Sequence, residues 1–536
     1  MENHAIRRFA LAVALAAGLM LSPIHSPARA ADGPTVQPFH GLSSAQRADL
    51  RNVARDTWRF YNVDIDPSTN LPMDNVTFAN GSSTPTAFGR YTSASNIGVY
   101  LWAVVAAQDL GLITRAEAHD RIAATLTEVQ HLKRFNGFLY QWYDTSTGDR
   151  IRNPGDADCS TETTPTYDNC FFISQVDNGW YASGLIVARE ALPELQGLVN
   201  TLLAPMNFGI FYDDGPETHC NVNAAGQPTG QMYGGYYVGL GPAGYHNGAF
   251  YSDPRISAYI GMGLHQMPGN VWWRSWRELP PKAPFADCQA TDPDFSWQGQ
   301  WPMPGSWQTY TDPQSEQQFT VWEGHYVYPG TDLSFIPTFA GGMFEALMAN
   351  EVVPETSWGS HSFGLADERT VEVQKKYATD ALGYPVWGLS PSSTADDSGG
   401  YGGFGVEGLL FPYHGFGADA TNPNEGLSQC HGCATEDVVT PHASFLALDA
   451  APQQAYANIQ ALRSHYPAVY GIDGFFDAVN PVTGAVGHRY LVLDQSMIMA
   501  ALDNALANRA IQRDFAADPV AWAARTYLGL ENMSLG

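Results

Sequence analysis

Residues 92–112 read TSASNIGVYLWAVVAAQDLGL. Small or apolar side chains occupy nearly every side of this segment, so it predicts a helix buried all round. The next stretch, ITRAEAHDRIAATLTEVQHLKRF (113–135), behaves differently. Thr114 and Glu117 have capping-box spacing. Ile122, Leu126, Val129 and Leu132 then fall on one face, a helical period. A buried helix followed by a one-sided helix is the unit of a helical hairpin.

The same kind of segment recurs along the chain. Helices are expected at Ser44–Phe60 and near 175–191, 194–205, 254–265, 342–350, 366–380, 441–449, 453–464, 495–508 and 518–527. Pro452 suits a first helical turn. Between these segments lie long aromatic and glycine-rich loops, such as NGFLYQWYDTSTGD and DDSGGYGGFGVEG, with loops and short strands over 280–340. No alternation of strand and helix and no evenly spaced strands occur. Helical hairpins joined by long loops predict an all-α toroid with a few short strands.

The chain has 536 residues, 44% of them hydrophobic and 12% aromatic, enough for a large core. Arg7 and Arg8 precede the apolar run Phe9–Leu21, and Ala28-Arg29-Ala30 is a small-residue cleavage site. Residues 1–30 therefore read as a secretory signal peptide, with the twin-arginine route open, and 31–42 as a flexible lead-in. Residues 43–530 read as one domain, since no low-complexity linker divides them. The expected location is secreted or periplasmic. No later stretch is long and apolar enough to span a bilayer. The net charge of −27 disfavours nucleic acid and anionic membranes as partners. Six cysteines in an exported chain point to disulfides, Cys159–Cys170 first, and CHGC (Cys430–Cys433) reads as a bridge rather than a zinc site.

Long loops in a compact domain are usually functional. Here Trp, Tyr and Gly mix with Asp, Asn and His, a composition that suits stacking on sugar rings and binding of hydroxyls. Glycoside hydrolysis needs two carboxyl groups in different protonation states. Asp177 has Ser174 three residues before it, so it can cap a helix, but Asn178 and Trp180 beside it suit a sugar site. Asp253, followed by Pro254, is placed as an N-cap, a role that favours the ionised form. Glu345 lies in AGGMFEALMANE, turned away from the stripe of Met343, Phe344, Leu347 and Met348 towards Gly342 and Ala349. Glu407 and Asp397 sit on a glycine-rich loop, where a carboxylate is often simply solvated. Asp494, with Gln495, reads as an N-cap, and His442 starts an apolar helix as a cap or core group. No G-x-S-x-G, H-E-x-x-H, P-loop or Rossmann fingerprint occurs.

Taken in order, TSASNIGVYLWAVVAAQDLGLIT, FLYQWYDTSTGD, ISQVDNGWYASGL, SDPRISAYIGMGLHQMP, WWRSWRELPP, GGMFEALM, YPVWGLSPS, VVTPHASFLAL, GFFDAVNPVTG and YLVLDQSM resemble the bacterial glucoamylase-like conserved-domain proteins. That group includes endo-β-1,2-glucanases and the cyclising domain of cyclic β-1,2-glucan synthases. The resemblance implies an (α/α)6 toroid with a sugar cleft at one end and glucosidic chemistry without a metal or other cofactor. It places Asp253 where the family's S-E-A-R motif has Glu, and Pro391 where cyclising relatives have a carboxylate, which Glu407 is positioned to replace.

The resulting expectation is a glycoside hydrolase acting inside a β-glucan, β-1,2-glucan foremost. Asp253 and Glu345 would frame the scissile bond, with Asp177 and Glu407 as alternates. Asn178, Trp180, Arg255, Trp273, Arg277, Trp387, Tyr401, His442, Asp494 and Gln495 would bind substrate. The other readings are action on another polysaccharide, or an envelope protein that binds glycan without cutting it. A lyase on a similar toroid fits less well, because its uronate substrate would meet an acidic chain.

Overall fold

Helix α2 (Ala94–Asp109) is buried along almost its whole length, as its composition requires. It crosses α4 (Gln175–Ala191) so closely that a Cβ on Gly98 would strike the backbone of Trp180 and Tyr181, and one on Gly184 would strike Gly98. Glycine on both sides permits this backbone-to-backbone approach. The computed structural model describes residues 35–213, 231–245, 250–275, 277, 305–328, 330–336, 338, 341–406 and 438–536. Residues 34–536 form one compact unit.

Among the described residues, six helices form a closed inner ring. Besides α2 and α4 these are α6 (Arg255–Gly263), α8 (Met343–Leu347), α11 (Pro441–Leu446) and α13 (Val492–Leu506). Packing runs α2–α4–α6 and α8–α11–α13–α2. Arg255 closes the gap between α6 and α8: its guanidinium donates to the backbone carbonyls of Glu345 and Ala346. Outside the ring, α1 (Ser44–Phe60) packs on α13, α3 (Arg115–His131) on α2, α5 (Gln196–Leu203) on α4, α10 (Phe363–Lys376) on α8 and α12 (Pro452–His465) on α11. The short helices α7 (Asn270–Arg274) and α9 (Glu355–Trp358) and the terminal α14 (Ala510–Ala517) and α15 (Trp522–Leu530) complete the set. This is the (α/α)6 toroid.

Caps explain several starts. Ser43 and Gln46 form a reciprocal capping box on α1, and the Thr114 hydroxyl accepts the Glu117 N–H at the start of α3. Pro452 occupies the first turn of α12. The strands are short, apart from a hairpin pairing Gly305–Thr311 with Gln318–Gly324. Cys159 and Cys170 are bridged; the other four cysteines lie outside the described residues, as do residues 1–34.

Several features differ from the sequence reading, among them the short helices α7 and α9. Residues 510–517 form a helix that was not expected, because AIQRDFAA is short and lacks a capping side chain. Neither Asp253 nor Asp494 is an N-cap. Helix α6 starts after Pro254, and Asp494 is the third residue of α13, fully buried.

Candidate active site

The chemistry-bearing side chains come from the starts of the inner helices. Ser95 and Asn96 belong to the first turn of α2, Asp177 to that of α4, Glu345 to α8, His442 to α11 and Asp494 to α13, while Asp253 lies just before α6. The helix N-termini therefore converge on one end of the ring, and their partial positive charge favours anionic groups there.

Glu345 and Asp253 are the centre of this group. Helix α8 begins at Gly342, and its first free N–H groups are taken from outside: Met343 donates to the Leu389 carbonyl at 3.0 Å and Phe344 to Ser390 Oγ at 2.9 Å. Pro391 follows that segment and packs against Gly342, where a Cβ would collide with its ring. Glu345 is held so that Ser252 Oγ donates to its Oε2 at 3.0 Å and lies 3.5 Å from Asp253 Oδ1. Each carboxyl keeps 9% of its residue surface accessible.

Burial pushes the Glu345 carboxyl well above the usual range, and the negative charge of Asp253, hydrogen-bonded to it, pushes it further. Asp253 is also raised by burial, against hydrogen bonds with Glu345 and the Trp180 indole that favour its charge. Capping was expected to keep Asp253 ionised. Freed from the cap, it faces another acid instead, and burial together with the Asp253 charge favours the protonated form of Glu345.

Asp177 stands nearby, close enough for its charge to raise Asp253. Its N–H caps onto Ser174 Oγ at 3.2 Å, so the capping role is real, but the carboxylate points elsewhere. Oδ1 accepts from Ser95 Oγ at 2.8 Å and Oδ2 from Gln141 Nε2 at 2.9 Å. Asp177 is half-buried.

A second acidic group adjoins the first. His442 Nδ1 lies 3.3 Å from Asp494 Oδ2 and 2.9 Å from Thr440 Oγ1. Asp477, hydrogen-bonded to Asp494, accepts the Ser393 N–H at 2.6 Å. Burial raises Asp477 well above its usual range and Asp494 to about 7, and lowers His442 to about 4, leaving the imidazole neutral. These three residues offer ligand atoms within 4.8 Å of one another, a set able to hold a cation. Tyr401 links the two groups. Half of the residue is exposed, but burial of its hydroxyl, and then the charges of Asp494, Asp477, Glu345 and Asp74, push that hydroxyl well above its usual range.

Several expected sugar contacts prove to be framework. Arg255 and Arg277 are fully buried. Arg255 forms a two-point pair with Glu355 at 2.8 Å for both bonds, and Arg277 pairs with Glu531. Asn178 bonds the backbone of Leu139 and Ser174, and Gln495 donates to the Phe475 carbonyl. Trp273 donates to Asp312 and stacks on Tyr310, while Trp387 is fixed through its backbone to Asn458. Trp180 packs edge-on against Trp102. These side chains are buried against their neighbours, and Trp180 alone among them turns a polar atom, its indole N–H, to Asp253. Glu407 lies outside the described residues.

Residues the sequence reading passed over now stand in the site: Asp477, Asp74, Ser252, Ser95 and Gln141. Asp74 accepts from Asn75 and Asn96, each at 2.9 Å. Half-buried Tyr91 and Trp142, 5.6 Å apart and edge to face, stand beside Asp74 and Gln141 respectively. Gln141 and Trp142 lie in FLYQWYDTSTGD and Asp477 in GFFDAVNPVTG, motifs already singled out.

Residues 303–519 match the family model Glycoamylase, described as "Putative glucoamylase". Residues 52–215 match DUF3131, described as a protein of unknown function. Over 99 residues the chain is 33% identical to the cyclic beta-(1,2)-glucan synthase NdvB of Rhizobium meliloti (strain 1021); the match spans 18% of this chain and 3% of that protein's length. Among solved structures, the endo-beta-1,2-glucanase from Chitinophaga pinensis, in complex with sophorotriose and glucose, superposes with a TM-score of 0.58 at 14% identity, covering 91% of this chain and 98% of that one. The endo-beta-1,2-glucanase from Talaromyces funiculosus, in complex with sophorose, gives 0.57 at 10% identity over 90% and 89% of the two chains. A "putative glucoamylase" from Bacteroides uniformis ATCC 8492 gives 0.60 at 16% identity over 92% and 99%. The resemblance read from the motifs therefore holds: residues 303–519 match the Glycoamylase model, and the chain shares the (α/α)6 toroid fold of these solved structures.

Proposed function

We propose that this protein is a secreted glycoside hydrolase that cuts β-glucosidic bonds within a glucan chain, and that its substrate is β-1,2-glucan. The observation that carries the reading is the buried acid pair Glu345–Asp253, bridged by Ser252 at the ring end where the inner helices begin. Two carboxyls in hydrogen-bond contact are too close to flank a glycosidic bond from both sides; that needs about 5–5.5 Å for retention and about 6.5–9.5 Å for inversion. They act as one unit. Glu345 gives its proton to the leaving glycosidic oxygen, and Asp253 holds that proton until it is needed. Asp177, half-buried with both oxygens already acceptors, takes the proton of the water that attacks the anomeric carbon. Tyr91, Trp142 and Tyr401 supply the aromatic wall, and the likeness to β-1,2-glucanases supports the linkage.

The test is incubation of purified protein with β-1,2-glucan and with a panel of other polysaccharides, measuring new reducing ends. Cleavage of β-1,2-glucan that is lost in Asp177→Asn and Glu345→Gln supports the reading. Cleavage of another glycan alone shifts the substrate, and binding without cleavage makes the protein a glycan binder. Export is checked by sequencing the N-terminus of the mature protein, which should begin just after Ala30.

A further inference from the structure

A separate cavity of about 320 Å³ lies between the turn at residues 80–83 and the segment 468–472. Asn80, Ser82, Ser83, Tyr470, Phe476 and His488 line it, a mixture of short polar groups and aromatic rings. His488 is nine-tenths buried there. Its Nδ1 and backbone N–H are both taken by Asp397 Oδ1, at 3.0 and 3.1 Å. Its other ring nitrogen, Nε2, is buried without a partner among the described residues. A buried polar atom left unpaired is costly.

The cavity is tied to the cleft by two chain segments. Strand Asn75–Phe78 runs from Asp74 towards Asn80, and it pairs with Arg489–Leu491, which leads from His488 into α13 and Asp494. Asn80 lies six positions beyond Asp74, a span of at most about 22 Å. A short run of linked sugars covers that distance.

We propose that this cavity is a distal subsite, taking one neutral hexose of the same glucan chain through its hydroxyls and a ring face. This rests on the glucanase reading for the identity of the chain. Asp397, exposed on its loop as expected, also fixes the His488 ring that serves the subsite.

The experiment uses Ser83→Trp, which fills the cavity from an exposed position and leaves the His488–Asp397 contact intact, alongside His488→Ala. Turnover is measured on β-1,2-linked oligosaccharides of increasing length and on the polymer. For both variants KM should rise about tenfold on long chains, with kcat and the constants for the shortest cleaved oligosaccharide unchanged. Equal effects at every chain length, or none, overturn the proposal. If β-1,2-glucan is not a substrate, the same series is run on the glycan that is. If no glycan is cleaved, the hydrolase reading fails, and the subsite is judged by calorimetric binding of glucan oligosaccharides. Binding that Ser83→Trp abolishes supports it, and no binding, or binding unchanged by that substitution, overturns it.

Discussion

Asp253 and Glu345 meet where α6 and α8 begin, and Ser252 Oγ spans them at 3.5 and 3.0 Å. Among the described residues, neither acid has an arginine to itself: the guanidinium of Arg255 is spent on Glu355 and on backbone carbonyls. Two buried acids with no dedicated cation favour a proton on Glu345, and the consequences can be measured.

Glu345→Gln keeps the shape and the Ser252 contact but cannot release the proton. Turnover should fall by about 10²–10⁴, the usual worth of a positioned general acid. Glucan binding, measured by calorimetry, should persist. A variant that cleaves as fast as wild type removes Glu345 from the mechanism.

The pH profile should respond to Asp253. Its negative charge raises Glu345, so Asp253→Asn lowers the Glu345 pKa. Loss of the acid's proton sets the alkaline limb of activity. That limb should move to lower pH in Asp253→Asn, and a limb that stays in place or moves up contradicts the pairing.

Asp514 offers a stability test away from the cleft. Burial, followed by the charge of Asp109 and a smaller effect of Glu190, raises it from 3.8 to about 7. The folded state thus holds a proton that the unfolded chain releases above about pH 4. Stability is fullest below that pH and declines until about pH 7, where the folded carboxyl also ionises. Asp514→Asn should raise Tm at pH 8, give no gain at pH 3.5 and leave activity unchanged.

Arg255→Ala tests framework against sugar binding. It strands Glu355 as an unpaired buried charge, and loss of one partner of such a pair costs about 3–5 kcal/mol. Denaturant unfolding should show that loss with glucan absent. A stable variant with only a raised KM would restore Arg255 to the substrate.

Much of the fold was written in local pattern. The all-round apolar character of Ala94–Ala107 and the one-sided Ile122–Val129 face identify inner and outer helices because burial acts on composition and period. Asp177 and Glu345 were legible for the same reason, being acids misplaced in apolar helices. The roles of Arg255, Arg277 and Trp273 were not, since an arginine paired with Glu531 some 250 residues later looks in sequence like one free for a sugar. The N-cap reading of Asp253 failed by one position, because Pro254 rather than Asp253 precedes the helix, and that single step decides whether the acid meets an N–H or another acid.

The inner helices donate their reactive side chains from first turns, directly after the loops that lead in. Such a site is modular. A loop can lengthen, or exchange a carboxylate for a residue like Pro391, while the helix behind it keeps its place in the ring. An entry loop can then change by itself, with no need to rebuild the ring.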